Sequence, residues 1–447
     1  MTMTWPLLHA GDDGPTVEVH GPRRWWGGVL DVEGLAVGSV ASAVSAISAL
    51  CSTNLPWPMR VERVAASFTS ITALSIDGVH PPGFAEMSGF YRTADGWIRV
   101  HANYPHHRER LQQALSATTR DEIQARLGEM SCSDAEREIR AVGGIAAAVR
   151  SRAAWVASEQ HRANRDRPWI CFEESTDTNT RAAWTPRSDH ELPLSGMRVL
   201  DLTRVIAGPS ATRFMAALGA DVLRVDPPHL PELQDQHVDT GFGKRSALAD
   251  LRRPESVDQV HELLTRADVL FLGYRRHSLA AAGLTAEQLR ERHPHLVVVT
   301  LDAWGSSGPM EHQVGFDSIV QAAVGIADDY RKPDGSPGAL PLQALDHASG
   351  YGMVTAAAQL LAARARGEGA GSAQLSLART ADRLYAMTAP DAAIESLQPV
   401  ETFRVDSAYG HLEFVPPPVD LPDRPLAYPS PPSRYGADEL GWRPRTR

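Results

Sequence analysis

The runs Arg198-Val199-Leu200-Asp201-Leu202 and Asp221-Val222-Leu223-Arg224-Val225-Asp226, with the segment 209–218 between them closed by Gly219, decide the fold. Two apolar runs of strand length flank a segment of helix length. Pro209 stands at its opening, where a missing N–H costs nothing. The same grammar continues downstream. Residues 257–266 read as a helix, Asp268-Val269-Leu270-Phe271-Leu272 as a strand, 286–293 as a helix and Leu296-Val297-Val298-Val299-Thr300 as a strand. Strands that alternate with helices of this length imply an α/β fold. The C-terminal half is therefore expected to be a Rossmann-like, doubly wound parallel sheet. A glycine-containing loop region, 304–338, and a long helix at about 349–366 follow.

Outward from this unit the pattern changes. Residues 161–193 are polar, punctuated by Pro168, Pro186 and Pro193, and read as a linker. Before them lie a helix at 35–50, a strand or helix at 60–67, and a break at Pro81-Pro82-Gly83. Phe90-Tyr91-Arg92 and Trp97-Ile98-Arg99-Val100-His101 form a hairpin turned by Asp95-Gly96, and 106–160 is mostly helical. This is a smaller α+β domain. The tail 389–447, Pro-rich between Pro416 and Pro432, is expected to wrap the surface.

Of the 447 residues, 43% are hydrophobic and 22% charged, which excludes wholesale disorder. At ~150 residues per domain the chain holds about two to three. Acidic residues outnumber basic ones by 54 to 44, giving a formal charge of -10. No general attraction to nucleic acid or anionic membrane is expected from that balance. Lys244 and Lys332 are the only lysines. Cys51, Cys132 and Cys171 are far apart and form neither a CxxC pair nor a zinc pattern, which fits a reducing, cytoplasmic setting. Met1-Thr2-Met3-Thr4-Trp5-Pro6-Leu7-Leu8 lacks a basic start before an apolar run, so no signal peptide is expected. The Ala-rich stretch 35–50, interleaved with Ser, is short for a membrane span and reads as a packed helix.

An acid after the second strand invites a dinucleotide site. Asp226 lies 18 residues beyond Gly208, near the ~20 expected. The loop Thr203-Arg204-Val205-Ile206-Ala207-Gly208-Pro209 has one glycine where that fingerprint has three, so no NAD site is expected. No Walker loop, GxSxG or HExxH occurs, and no metal site is expected. Tyr104, His106 and His107, at a helix start, read as exposed polar residues ahead of a metal pair. Asp346 ends Leu342-Gln343-Ala344-Leu345-Asp346 and directly precedes the helix of His347-Ala348-Ser349-Gly350. A carboxylate at such a junction is either a nucleophile or a plain N-cap. One internal similarity stands out. Leu35-Ala36-Val37-Gly38-Ser39-Val40-Ala41-Ser42-Ala43 matches His347-Ala348-Ser349-Gly350-Tyr351-Gly352-Met353-Val354-Thr355, with Gly38 against Gly350. Ancient duplication and shared Ala-rich composition both explain it.

Residues 194–209, from Leu194-Ser195-Gly196-Met197 to Ile206-Ala207-Gly208-Pro209, resemble the opening of the family III CoA-transferases, the carnitine and formyl-CoA transferase type. The resemblance continues through Leu218-Gly219-Ala220-Asp221, Gly243-Lys244-Arg245-Ser246, Ala267-Asp268-Val269-Leu270 and Trp304-Gly305-Ser306-Ser307-Gly308-Pro309. It runs on through Gly315-Phe316-Asp317 and Gln321-Ala322, and ends at Asp346 with Gly350. It implies that Asp346 is the nucleophile of an acyl-CoA:carboxylate CoA-transferase working through a covalent aspartyl intermediate. Ala207, Tyr274 and Arg275 would contact CoA, and Lys244 or Arg245 its phosphates. Backbone donors near Gly308 or at Ser349 would stabilise the oxyanion. The CoA thioester is then a substrate, a small carboxylic acid the acceptor, and no permanent cofactor is expected.

The N-terminal half, 1–185, resembles the same family in rearranged order. Residues 85–175 look like its small domain, and 31–70 like a worn copy of the region around the active aspartate, with Gly34 in the place of Asp346. The large domain is 194–388. Family members of this kind are interlocked homodimers, so a homodimer is expected, with pairing of the chain's own halves as the alternative. Gly273-Tyr274 stands where the family has Asn before an aromatic, and His277 falls where Pro-Gly is usual. The glycine-rich flap is reduced to a segment near Pro81-Pro82-Gly83. Phe316 replaces the His of related acyl-CoA racemases, which disfavours racemisation because that reaction needs a second acid/base. A CoA-thioester-binding protein with reduced catalysis is the remaining alternative.

Overall fold

The alternating apolar runs become a seven-stranded sheet in the computed structural model, which describes residues 17–52, 56–173, 184–186, 191–274 and 276–444. In chain order its strands are β1 (Cys171–Glu173), β2 (Arg198–Leu202), β3 (Asp221–Asp226), β4 (Arg245–Leu248), β5 (Val269–Leu272), β6 (Val297–Asp302) and β7 (Ser372–Ser376). They lie in the order β4-β3-β2-β5-β6-β7-β1. All neighbours are parallel except β1, which runs antiparallel along β7. Without that edge strand this is the doubly wound order 3-2-1-4-5-6, which reverses between β2 and β5 and opens a crevice at the strands' C-terminal ends. The two-residue period separates the cores. Val199, Val222, Val269, Phe271 and Val297 enter one, and Leu200, Leu223, Val225, Leu270 and Val298 the other.

Several elements differ from expectation. The long helix is Ala344–Ala365, five residues earlier than the sequence pattern suggested. Asp346 therefore sits in its first turn, not ahead of it. The expected loop region 304–338 contains the helix Asp317–Val324, buried at all eight positions and so without the one-sided periodicity that would reveal it. Residues 60–67 fall mostly in the helix Val61–Phe68. The expected linker holds the end of helix Glu159–Asn164 and the strand β1, while its stretches 174–183 and 187–190 lie outside the described residues, as do Met1 to Leu8.

The helix Val32–Leu50 is long and apolar enough to cross a membrane by length and composition. Here it lies along Ala344–Ala365 in the main core. The two start alike: the N-caps Asp31 and Gln343 have φ −80, ψ 69 and φ −80, ψ 64. Each is followed by a strand and a second helix, Pro58–Arg60 then Val61–Phe68, and β7 then Leu377–Tyr385. In the N-terminal set Gly34 donates its N–H to its own N-cap, Asp31 Oδ1, at 2.9 Å.

Gly89–Arg92, Trp97–Val100 and Ala146–Ala148 make an antiparallel sheet. One face packs on Pro105–Leu115, Arg120–Gly128 and Cys132–Ala141, and the other meets the helix Asp317–Val324. In the tail, Phe403–Ser407 and Gly410–Phe414 form a hairpin extended by Ser75–Ile76. Further on, Asp438 bonds both backbone groups of Ser246 and covers the free edge of β4, where an open strand would otherwise template pairing.

Candidate active site

Asp346 is the third residue of its helix, and the N-cap Gln343 makes no capping bond with its side chain. The cap comes from Asp317, which accepts the Asp346 N–H through Oδ2 at 2.9 Å. Asp317 Oδ1 accepts from Gln321 Nε2 at 2.5 Å, and Gln321 Oε1 in turn accepts the Leu340 N–H at 2.9 Å. One carboxylate thus closes the helix start and, through Gln321, the loop before it. Among the described residues nothing donates to the carboxyl of Asp346 itself.

Both acids are buried, Asp317 fully and Asp346 to 7% exposure. Burial pushes Asp317 up to about 6, against the pull of its N–H donors and of Arg99. Burial and the neighbouring Asp317 charge raise Asp346 well above the carboxylate range. The donors decide how the pair shares its charge: Asp317 carries the anion first, and Asp346 holds its proton longer.

Gly350, one turn beyond, lets this helix touch the opening of Ala207–Ala217. A Cβ there would stand 2.4 Å from the Ala207 carbonyl oxygen. The fold therefore brings Ala207 against the Asp346 helix. Just before it, Val205 has φ 70, a left-handed conformation that costs a β-branched residue ~1–3 kcal/mol. Its N–H donates to Glu232 Oε2 at 3.0 Å. Glu232 also binds Arg224 at 3.0 Å and accepts the Tyr104 hydroxyl. The strained loop after β2 is fixed by a buried carboxylate that also anchors the small domain.

A cleft of about 350 Å3 opens at the C-terminal ends of β5 and β6, with Gly273, Tyr274, Asp302, His312 and Gly315 in its wall. Asp346 is not in that wall; Gly315-Phe316-Asp317 leads from the cleft to the acid pair. The Tyr274 hydroxyl is buried without a hydrogen-bond partner among the described residues. Arg275 lies outside the described residues.

Lys244 and Arg245 serve as internal ties instead of facing the cleft. Lys244 Nζ donates to Asp201 Oδ2 at 3.2 Å, to the Pro209 carbonyl at 2.7 Å and to Thr212 Oγ1 at 2.5 Å. Burial draws it down to about 8, although Asp201 opposes this. Arg245 pairs with Asp221 and donates to the Gly441 carbonyl. Asp226 is fully buried against Arg224 and is not presented to a ribose. Ser349 is interior to its helix and hydrogen-bonds Thr380 Oγ1, so it offers no helix-start donor. Gly308 is backed by Gln160 and Ala163. Tyr104 and His107 are buried, not exposed: His107 sits edge-on to Phe316, and His101 stacks on that ring at 3.9 Å. Sequence reasoning missed the capping role of Asp317, although its motif Gly315-Phe316-Asp317 was in view. It also gave no weight to Arg99, whose charge Asp317 feels.

A protein-family model described as CoA-transferase family III matches residues 194–411. The succinate–glutarate CoA-transferase of Agrobacterium fabrum is 33% identical over 204 residues, covering 41% of this chain and 51% of that protein. The mouse succinyl-CoA:glutarate CoA-transferase is 32% identical over 195 residues, covering 39% and 45%. The chain spans about half the length of the curated relatives it matches. Among solved structures, a CaiB/BaiF family protein from Brucella suis is 25% identical with a TM-score of 0.40, covering 50% of this chain and 65% of that one. Residues 194–411, which carry Asp346 and every strand of the main sheet except its antiparallel edge, match CoA-transferase family III.

Proposed function

We propose that the chain is an acyl-CoA:carboxylate CoA-transferase acting through a covalent aspartyl intermediate on Asp346. The observation that carries this reading is the state of that side chain: buried, without hydrogen-bond donors among the described residues, and beside a second acid that takes the helix-start N–H of Asp346. A carboxylate stripped of donors is a stronger nucleophile than a solvated one. Relatives named as CoA-transferases supply the reaction class.

Once Asp346 has released its proton to solvent, one of its carboxylate oxygens attacks the thioester carbonyl, the C–S bond breaks and CoA leaves as thiolate. The resulting acyl-aspartyl anhydride is attacked by that thiolate at the aspartyl carbonyl. The donor acid departs as carboxylate and an aspartyl-CoA thioester remains. The acceptor carboxylate attacks this thioester, releasing thiolate, which then attacks the acceptor's acyl carbonyl and returns Asp346 as carboxylate. Each step exchanges one acyl bond for another, so the thioester's energy is not lost to water. CoA thioester and small carboxylic acid are both substrates. We assign Tyr274, on the cleft wall, and Ala207, against the Asp346 helix, to contact with CoA. The three unpaired cysteines fit a cytoplasmic setting. A homodimer belongs to this proposal; the packing of Val32–Leu50 on Ala344–Ala365 supports the alternative of intrachain pairing, and the mass in solution decides between them.

A second reading, a CoA-thioester-binding protein with reduced catalysis, is favoured by one observation: Asp317 already occupies the Asp346 N–H, which could serve an oxyanion. The test is to incubate the protein with acyl-CoA, quench with hydroxylamine and map the modified residue by mass spectrometry. A hydroxamate at Asp346, absent from Asp346→Asn, is the expected result. Tight CoA binding with no adduct and no turnover across a panel of acids would select the second reading.

A further inference from the structure

Five arginines are buried in the described residues, and four of them face a carboxylate. Arg213 pairs with Asp239, Arg224 with Asp226, Arg245 with Asp221 and Arg364 with Asp268. The fifth, Arg99, is 7% exposed and makes no ion pair or hydrogen bond among the described residues; its Nε is fully enclosed without a partner.

The hairpin explains where this side chain goes. Tyr91, Ile98 and Val100 point into the small domain's own core. Arg99, one step out of phase, takes the opposite face, with Phe90 across from it on one neighbouring strand and Ala147 on the other. That is the face that meets the helix Asp317–Val324. The guanidinium carbon lies 5.0 Å from the centre of the Phe90 ring and 4.5 Å from that of Phe84. Asp317 feels its charge without touching it. An unpaired charge at such a place is costly, and an apolar side chain would serve the packing better. The cation is flanked by aromatic rings on the face that meets the helix beginning at Asp317. Phe84, the outer wall, is itself half-exposed and directly follows Pro81-Pro82-Gly83.

We infer that Arg99, walled by Phe84 and Phe90, receives a free carboxylate of the substrate: the non-reacting carboxyl of a dicarboxylic acid or of its CoA monothioester. This rests on the reading of Asp346 as the covalent nucleophile. A guanidinium fork matches a planar carboxylate through two parallel hydrogen bonds. A carboxylate held in that way is a poor nucleophile, so the fork suits the end of the acid that does not react. Arg99 is then a specificity-determining residue, selecting dicarboxylic over monocarboxylic acids of equal length.

The test compares succinate, glutarate and adipate with butyrate, pentanoate and hexanoate as acceptors, in the wild type and in Arg99→Leu. The ratio of kcat/KM for each dicarboxylate to its monocarboxylate should fall by about 30-fold in the variant, the scale for losing one partner of a buried charge pair. Thermal melts of Asp346→Asn, with and without Arg99→Leu, report binding without turnover. The dicarboxylates should raise the melting temperature of the single variant and leave the double variant unmoved. Arg99→Leu alone should melt no lower than the wild type, because it removes an uncompensated charge. An unchanged ratio with an undiminished melting shift overturns the inference. If no hydroxamate forms on Asp346 but the melting shift still requires Arg99, the carboxylate site stands and the transferase reading falls. If the hydroxamate forms and the shift ignores Arg99, the transferase reading stands and the site falls.

Discussion

Replacing Asp317 by Asn should change how the protein's stability depends on pH. Asp317 is buried and pushed from its ordinary 3.8 up to about 6 in the fold. Below about pH 4 it is protonated both folded and unfolded, and it has no effect on the slope. Between about 4 and 6 the unfolded chain releases this proton while the folded protein keeps it. The folded state then binds more protons, so stability falls as pH rises, and the loss is complete above about 6. At ~1.4 kcal/mol for each tenfold difference in proton affinity, the displacement amounts to about 3 kcal/mol. Asn at 317 does not titrate, so relative to wild type the variant should gain about 3 kcal/mol between pH 4 and pH 7. Its loss of an acceptor oxygen for the Asp346 and Gln321 N–H groups adds a constant cost at every pH and leaves the difference in slope intact. Urea denaturation of both proteins at pH 4, 5, 6 and 7 measures it. A flat difference, or a variant that loses ground as pH rises, refutes the reasoning. Either result would mean that its hydrogen-bond donors hold Asp317 ionised in the ordinary range.

Gly350→Ala should cost about 1–3 kcal/mol by overpacking, since the new methyl meets the Ala207 carbonyl oxygen at 2.4 Å and backbone must yield; thermal melting checks it. Lys244→Met should destabilise the fold by about 3–5 kcal/mol, because it leaves Asp201 charged, buried and without its cation. A folded Lys244→Met protein with weakened CoA affinity would restore a phosphate role to that lysine. Val205→Gly should stabilise by about 1 kcal/mol at a position where φ is 70, the relief of strain exceeding the entropy glycine adds to the unfolded chain. A lower denaturation midpoint would show that the side chain's contacts outweigh its backbone strain.

The parallel sheet was legible because strands buried on both faces announce themselves: Val269–Leu272 and Val297–Asp302 lie within one or two residues of the expected positions. The start of the Asp346 helix was not legible. Its cap is a carboxylate 29 residues upstream, and nothing local at Gln343 marks the boundary. Asp346 itself was named by family resemblance; spacing left capping and catalysis both open. Lys244 shows the opposite failure. A lysine in a glycine-flanked motif reads as a surface cation, and its burial follows from partners on β2 and the helix after it, 32 to 43 residues away. Arg99 was hidden by its own strand. In Trp97–Val100 three of four residues are buried, so alternation gives no hint that the charged one faces inward.

The pairing of Val32–Leu50 with Ala344–Ala365 bears on how the chain acquires its structure. The two helices begin about 310 residues apart in sequence. At ~5–20 residues per second, translation leaves the first helix without its partner for about 15–60 s. Throughout that interval a segment of mean hydropathy 1.5 lacks the partner helix along which it lies in the fold, Ala344–Ala365. Contacts of such long range also slow the search for the native arrangement after release. The yield of folded protein is therefore governed by what shields this helix during synthesis. Supplying a holdase chaperone, or slowing expression by cooling, should raise soluble recovery without altering the stability of the finished fold.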